Sequence, residues 1–495
     1  MDDAGAAVTG ALRSDVSKLI ADAVRLLGDP DGELASLEAT LEEPLTLAVA
    51  GHTSAGKSTL VNALIGHRVA PTAATECTRV VTWYRFGQQQ REVICRDGSR
   101  RPLWLVADPQ SSEPRLPDDL PVPEATIERL DVPLSFERLR QLTVIDTPGL
   151  SGDEGLARQT ETLLASGAAD VLLFVFGGAE IRETESAVIN DFRRRTRSRY
   201  TFPANAIGAL SRADTYPGPD PLTTATAVAD GHAARFRRQL AGVLPVMGRL
   251  AETTESAAFN QTHTDALHTI AALRQDQRLR MLRTASRFQE SAVLTQAQLP
   301  RARRTELVER LAIQGIREFS APGYASSSTP ALYSAMRRTS GMAVLLRRIN
   351  SLFVNAGAVH KATRILAEVE RLARRPEVTK HVRDEVLDGI EVLRSSDALH
   401  TLNELRALAA LYSGACTVGD DSTRGALLRL FEEVDPASRL GCATDDPAQF
   451  ASAAATAVNV WQAYANTAVD SGAREIARTA VRSASIIRRS LEHSR

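Results

Sequence analysis

The sequence predicts an α/β domain built on a doubly wound, mostly parallel sheet, followed by an all-helical bundle. Three observations carry that prediction. Short apolar runs alternate with helix-like segments from about residue 40 to 250, the pattern of β-α units. One run, residues 45–50 (LTLAVA), ends in a glycine loop that opens into helix-like sequence at 59–65 (TLVNALI). Beyond about residue 265 strand signals stop, and Ala, Leu, Arg and Glu recur at helical spacing.

At 495 residues the chain is too long for one ordinary domain. Its 43% hydrophobic and 24% charged content is that of a globular protein. A net charge of −1 gives no global field toward nucleic acid or acidic lipid. Cys77, Cys95, Cys416 and Cys442 form no CxxC and no metal spacing, which reads as a reduced, cytoplasmic chain. The start, MDDAGAAVTG, lacks the basic-then-apolar order of a signal peptide, and no run of about 18 apolar residues predicts a membrane span.

Residues 9–28 read as an amphipathic helix, with Leu12, Val16, Leu19, Ile20, Ala23 and Leu27 on one side. Gly28, Pro30 and Gly32 then break the chain. A stripe this narrow needs a partner, because short isolated helices are marginal in water. The matching stripe is Ile476, Ala480, Ala484 and Ile487, so the first and last helices are expected to pack together. After the glycine loop and its helix come a segment 71–79, a β-rich run at 80–86 and a strand at 91–96 with an Asp97-Gly98 turn. Residues 106–124, with several Pro, Asp and Ser, read as a loop. Strands follow at 142–145 and 171–176 (VLLFVF), then a helix at 183–195, a strand at 204–210 and an edge at 243–247. Helices are expected over 303–320, 342–375, 378–413, 423–434 and 448–492. Gln296, Gln298 and Pro300 mark a junction. The expected units are residues 1–35, a helix packing with the bundle; 36–298, the α/β domain; and 299–495, the bundle.

The stretch Gly51-His52-Thr53-Ser54-Ala55-Gly56-Lys57-Ser58-Thr59 fits GxxxxGK[ST], with a strand before it and a helix after it. Its glycines let backbone N–H groups turn inward around phosphate oxygens at a helix N-terminus. Lys57 can meet β and γ phosphates, and Ser58 can offer its hydroxyl to Mg²⁺. Asp146-Thr147-Pro148-Gly149 ends a predicted strand. Asp146 can hold Mg²⁺ through water, and the N–H of Gly149 can meet a γ-phosphate. An ordinary Pro-Gly turn would account for that stretch by itself; Lys57 upstream favours the functional reading.

Ser211-Arg212-Ala213-Asp214 resembles a base-reading motif usually written [NT]KxD, with Ser and Arg replacing its first two residues; a loop aspartate capping the next helix is the other reading. A carboxylate at Asp214 accepts two hydrogen bonds from guanine, whereas adenine would leave it unpaired. Arg212 can cover the base face. An ATP-driven enzyme is disfavoured on that ground. Thr78 is the candidate for a mobile threonine that joins Mg²⁺ and orients the attacking water, with Thr72 and Thr75 competing. The run Arg193-Arg194-Arg195, with Arg197 and Arg199, lies at a helix C-terminus without aromatic interleaving, so no nucleic-acid partner is expected. His52 is given no role.

These motifs, with Ala70-Pro71-Thr72 and Glu76-Cys77-Thr78-Arg79, resemble the dynamin superfamily. The order of N-terminal helix, GTPase domain and long helical half is similar to bacterial dynamin-like proteins. It is most similar to the isoniazid-inducible group of mycobacteria and related actinobacteria, in particular the shorter member of that operon. The likeness extends into residues 303–319 and 340–372. It implies an α/β P-loop GTPase domain, cofactors GTP and Mg²⁺, hydrolysis accelerated when GTPase domains of two copies pair, and action at a membrane. Ser54 matches the family's loop serine, which adds it to Lys57 and Thr78 as a catalytic candidate. The preceding position, often Gln in eukaryotic dynamins, is Thr53 here.

The resulting expectation is a GTPase that couples hydrolysis to self-assembly and membrane remodelling, cytoplasmic and peripheral at the inner face of the plasma membrane. The alternative is a slow GTP-dependent partner of a related dynamin-like protein. The loop Ala321-Pro322-Gly323-Tyr324-Ala325-Ser326 is a candidate bundle tip, but its sequence is mild and no polybasic cluster borders it. Membrane contact is therefore expected to be weak, strengthened by avidity in assembly.

Overall fold

The computed structural model describes residues 3–493 except 30, 72–78, 108–113, 118, 151–153, 196–203, 218–219 and 443–445. A nine-stranded sheet forms its centre. The strands are β1 (Leu45–Gly51), β2 (Thr82–Phe86), β3 (Glu92–Cys95), β4 (Arg100–Pro102), β5 (Ile127–Leu134), β6 (Leu142–Asp146), β7 (Val171–Phe176), β8 (Ala206–Leu210) and β9 (Val243–Pro245). Their order is β9-β8-β7-β1-β6-β2-β5-β3-β4. From β9 to β6 every neighbour is parallel; β2 turns antiparallel to β6, and β3 and β4 continue antiparallel at the far edge. A short ribbon, Val106–Ala107 with Pro114–Arg115, occupies part of the expected loop.

Strands β1 and β7 are buried at every position, as their unbroken apolar runs require. Alternate residues enter two separate cores. Leu47, Val49, Leu173 and Val175 face one; Ala48, Ala50, Leu172 and Phe174 face the other.

The helices that matter below are α1 (Asp3–Leu27), α2 (Lys57–Ile65), α3 (Gly248–Glu255), α4 (Arg301–Phe319), α5 (Thr329–Thr339), α6 (Met342–Leu352), α7 (Gly357–Ala373), α8 (Lys380–Ser395), α9 (His400–Tyr412), α10 (Asp421–Glu432), α11 (Pro447–Thr467) and α12 (Ser471–His493). Helices α4 and α5 pack on α3 and share the core of Ala48 and Phe174. From Met342 onward the chain joins the core of Leu47 and Val49. It crosses at Ser340-Gly341, where Met247 N donates to Ser340 O (2.9 Å). Gly341 has φ +76°, and a Cβ there would lie 2.3 Å from Pro245 O. Only glycine meets both conditions.

A buried ion cluster ties the helical half to the foot of the sheet. Asp170 Oδ2 accepts from Thr46 N (2.9 Å), and Asp170 Oδ1 pairs with Arg364 of α7 (3.1 Å). Lys361 Nζ donates to Thr40 O (2.6 Å) and lies 3.9 Å from Asp170.

Three sequence expectations are corrected. The stripe of α1 is buried, but on α7 and α8, where Leu19 reaches Gly389. The last helix instead packs on α11 and α9, because a short loop at 468–470 folds it back on its neighbour. The long helices are also interrupted. Residues 342–375 break at 353–356, where His360 Nε2 bonds Leu352 O (2.7 Å), and 378–413 break at the extended Ser396. Finally, 321–326 is no tip. Tyr324 stacks edge-on to Phe319 (5.3 Å), and His268 Nε2 meets Ser327 O (3.1 Å) beside the α/β domain.

Candidate functional site

Residues 51–56 form the turn between β1 and α2. Gly51 must be glycine, since a Cβ would sit 2.2 Å from Val175 O of the neighbouring strand. Ser54 and Gly56 both take left-handed backbone, φ +59° and +86°, which bends the loop over the start of α2. Lys57, the first residue of α2, is buried, and its Nζ donates to His52 O (3.1 Å). The ammonium therefore lies over the concave side of its own loop. Thr53, Ala55 and Thr59 complete the stretch.

Asp146 ends β6 beside Val49 of β1 and is 1% exposed. Ser58 Oγ donates to Asp146 Oδ2 at 2.9 Å. Thr147 Oγ1 donates to Val49 O (2.9 Å), and Leu150 N to Gly51 O (3.2 Å), so residues 147–150 run along the loop. A Cβ on Gly149 would lie 2.2 Å from Thr53 Oγ1 and 2.6 Å from Thr53 Cα. The two segments are in contact, and only glycine fits between them. A hydroxyl and a carboxylate, both hard oxygen donors, meet at the loop mouth. That pair fits Mg²⁺, which takes one or two protein oxygens and fills its shell with phosphates and water.

The third segment follows β8. Ser211 Oγ donates to Ala55 O, and Ser211 N to Phe176 O (3.0 Å). Arg212 is exposed and left-handed, φ +55°. Ala213 N donates to Val246 O (3.3 Å). Burial pushes the Asp214 carboxyl above its ordinary range; its own backbone N–H, Arg249 and Arg212 oppose that rise. The structure thus brings together Gly51, Thr53, Ser54, Ala55, Gly56, Lys57, Ser58 and Thr59 with Asp146 and Gly149, and joins Ser211 to the same loop. Thr72, Thr75 and Thr78 lie outside the described residues.

Sequence reasoning missed the residues that hold the root of that threonine segment. Asn62, fully buried in α2, accepts from Val69 N (3.0 Å) and Ala70 N (2.8 Å). It donates to Ala70 O (3.0 Å) and to Glu252 Oε1 (2.7 Å). A polar residue amid the apolar run LVNALI was the available signal. Tyr84 was also missed. It is buried near Asp146, and burial, with that negative charge, holds its phenol well above the usual range.

Comparison with known proteins agrees with this geometry. A model of the dynamin family matches residues 47–200, the span from β1 past β7. The isoniazid-induced protein IniC of Mycobacterium tuberculosis is 31% identical over 482 residues, covering 94% of each chain, in strains CDC 1551 and H37Rv alike. A bacterial dynamin-like protein of Nostoc punctiforme is 26% identical over 177 residues, 31% of this chain and 25% of that one. Among solved structures, an oligomerised bacterial dynamin pair superposes with a TM-score of 0.32 at 13% identity, over 86% of this chain and 73% of the other. Most of β1, with the loop and helix that follow it, lies within the matched span, and the IniC relatives run nearly the full length: the chain belongs to the dynamin family and is a GTPase.

Proposed function

We propose that the chain hydrolyses GTP with Mg²⁺ and couples the cycle to self-assembly and to remodelling at the inner face of the plasma membrane. The observation that carries the nucleotide part is the Ser58–Asp146 contact of 2.9 Å at the mouth of the loop. Backbone N–H groups of residues 51–59 bind the phosphates, and the Lys57 ammonium leaves His52 O for the β and γ oxygens. Ser58 and Asp146 would hold the ion, which takes hard oxygen donors of this kind. When bound with the nucleotide, Mg²⁺ neutralises charge on the β and γ oxygens. Gly149, packed on Thr53, reports the γ-phosphate through its N–H. Ser54, exposed on the loop, acts in catalysis, and Thr78 completes the ion's shell and orients water. Asp214 accepts from guanine, with Arg212 over the base.

Membrane contact has one structural support. Trp104 is 72% exposed and Val106 40% exposed, in the stretch just after edge strand β4. An exposed indole suits a lipid interface. Among the described residues no helix is long and apolar enough to cross a membrane. The other reading is a slow GTP-dependent partner of a related dynamin-like protein, with no membrane activity of its own.

The ion assignment is tested by Mg²⁺ titration of GTP turnover. Asp146→Asn should cut the rate at fixed Mg²⁺ by about tenfold or more and shift half-saturation to higher Mg²⁺, because the amide holds the hydrated ion less well. An unchanged titration curve would remove Asp146 from the site.

A further inference from the structure

A cavity of about 650 Å³ lies away from the nucleotide loop, between residues 137–144 and helices α5 and α6. Four guanidinium side chains line it: Arg138, Arg337, Arg338 and Arg347. Two are already engaged. Arg138 Nη2 meets Glu255 Oε2 at 2.5 Å, and Arg337 Nε meets Glu255 Oε1 at 3.2 Å. Glu137, the acidic residue of the lining, pairs with Arg140 (2.7 Å) and is 81% exposed at the side chain. Arg338 and Arg347 make no ion pair and no side-chain hydrogen bond among the described residues. Glu255 answers Arg138 and Arg337 together and Glu137 is answered by Arg140, so the cavity's excess positive charge rests chiefly on Arg338 and Arg347.

From this the geometry points to a second anion site that takes a small phosphate-bearing molecule, free or as a lipid headgroup. Guanidinium forks match phosphate oxygens two at a time, and a dianion would neutralise the excess. The volume is that of a small-molecule site, and Leu64 and Ile349 give it an apolar wall. Its position also links it to the nucleotide loop. Arg138 Nη1 donates to Ala63 O (2.9 Å) at the C-terminal end of α2, the helix that starts at Lys57. An anion held by Arg338 and Arg347 therefore bridges α5 to α6 across the Ser340-Gly341 crossing, beside the arginine that holds the end of α2. The site is separate from the GTP site and does not rest on how GTP is hydrolysed.

The test is calorimetric titration of the full chain, saturated with GDP, with inorganic pyrophosphate. Wild type should take up one pyrophosphate per chain. Arg338→Ser/Arg347→Ser should lose roughly tenfold or more in affinity, the effect of two charge-assisted contacts, with GDP affinity unchanged. Arg338→Lys/Arg347→Lys should retain part of it. No uptake by wild type, or equal uptake by the serine variant, overturns the site. Flotation with phosphatidylcholine vesicles, with and without phosphatidic acid, separates the sources. Capture on phosphatidic acid that pyrophosphate reverses and the serine variant lacks identifies a headgroup. Pyrophosphate uptake without vesicle capture identifies a free phosphate.

Discussion

The phosphate end of the site is dictated residue by residue. Gly51 and Gly149 stand where another backbone comes within 3 Å of a would-be Cβ, and Lys57, Ser58 and Asp146 converge on one mouth. In the proposed function the base end rests on Asp214, whose carboxyl burial already disfavours as the anion. A purine that donates two hydrogen bonds relieves that cost, so readout should discriminate by roughly 10²–10⁵-fold. Asp214→Asn should weaken GTP and improve xanthosine triphosphate in competition binding. Wild-type protein that binds ATP as tightly as GTP would show that Asp214 does not read the base. The meeting of the loop with Asp146 was legible in the sequence because the two motifs fix both residue type and spacing. Ser211 was read as part of the base-reading segment, in a place where the motif usually has Asn or Thr. Its hydroxyl on Ala55 O ties the base segment to the phosphate loop, a contact across 156 positions that no local pattern encodes. Asn62 was hidden for the same reason, since its partner Glu252 is 190 positions away.

At the scale of elements, periodicity marked buried faces but not what covers them. The α1 stripe is buried as read, yet its partners are α7 and α8. Two apolar stripes of similar width are interchangeable in a sequence; the short turn before α12 decides which meet. Gly389 of α8 leaves room for Leu19, whose Cδ1 would lie 3.0 Å from a Cβ at that position. Leu19→Cys/Gly389→Cys should therefore crosslink under mild oxidation, seen as a mobility shift that reductant reverses. Crosslinking of position 12 or 19 to 476 or 487 instead would contradict this packing. The helix breaks at 353–356 and 396 were illegible because flanking residues keep their 3.6 period through them, and a tertiary bond, His360 to Leu352 O, occupies the freed carbonyl.

For the whole molecule, the sheet is clad by its own helical half on both faces, so α4 and α5 share a core with one face and α6 onward with the other. The sequence showed where strands stop but not this division, which turns on Gly341 fitting against Pro245 O. Such a body exposes few large apolar side chains, and Trp104 is one of them. Co-sedimentation with anionic liposomes should be weak for wild type and weaker by about tenfold for Trp104→Ser, as loss of a buried indole face implies. Equal binding by both would place any lipid contact elsewhere.

The coupling of hydrolysis to assembly is the central claim, and one measurement reaches it most directly. GTP turnover per chain is followed in Mg²⁺ as protein concentration rises, with Lys57→Ala as the blank. Turnover per chain that climbs with concentration, over a silent Lys57→Ala, is the result of GTPase domains pairing between copies. A low rate, flat across the whole range, would contradict self-activation and leave the chain as a GTP-dependent partner of another dynamin-like protein.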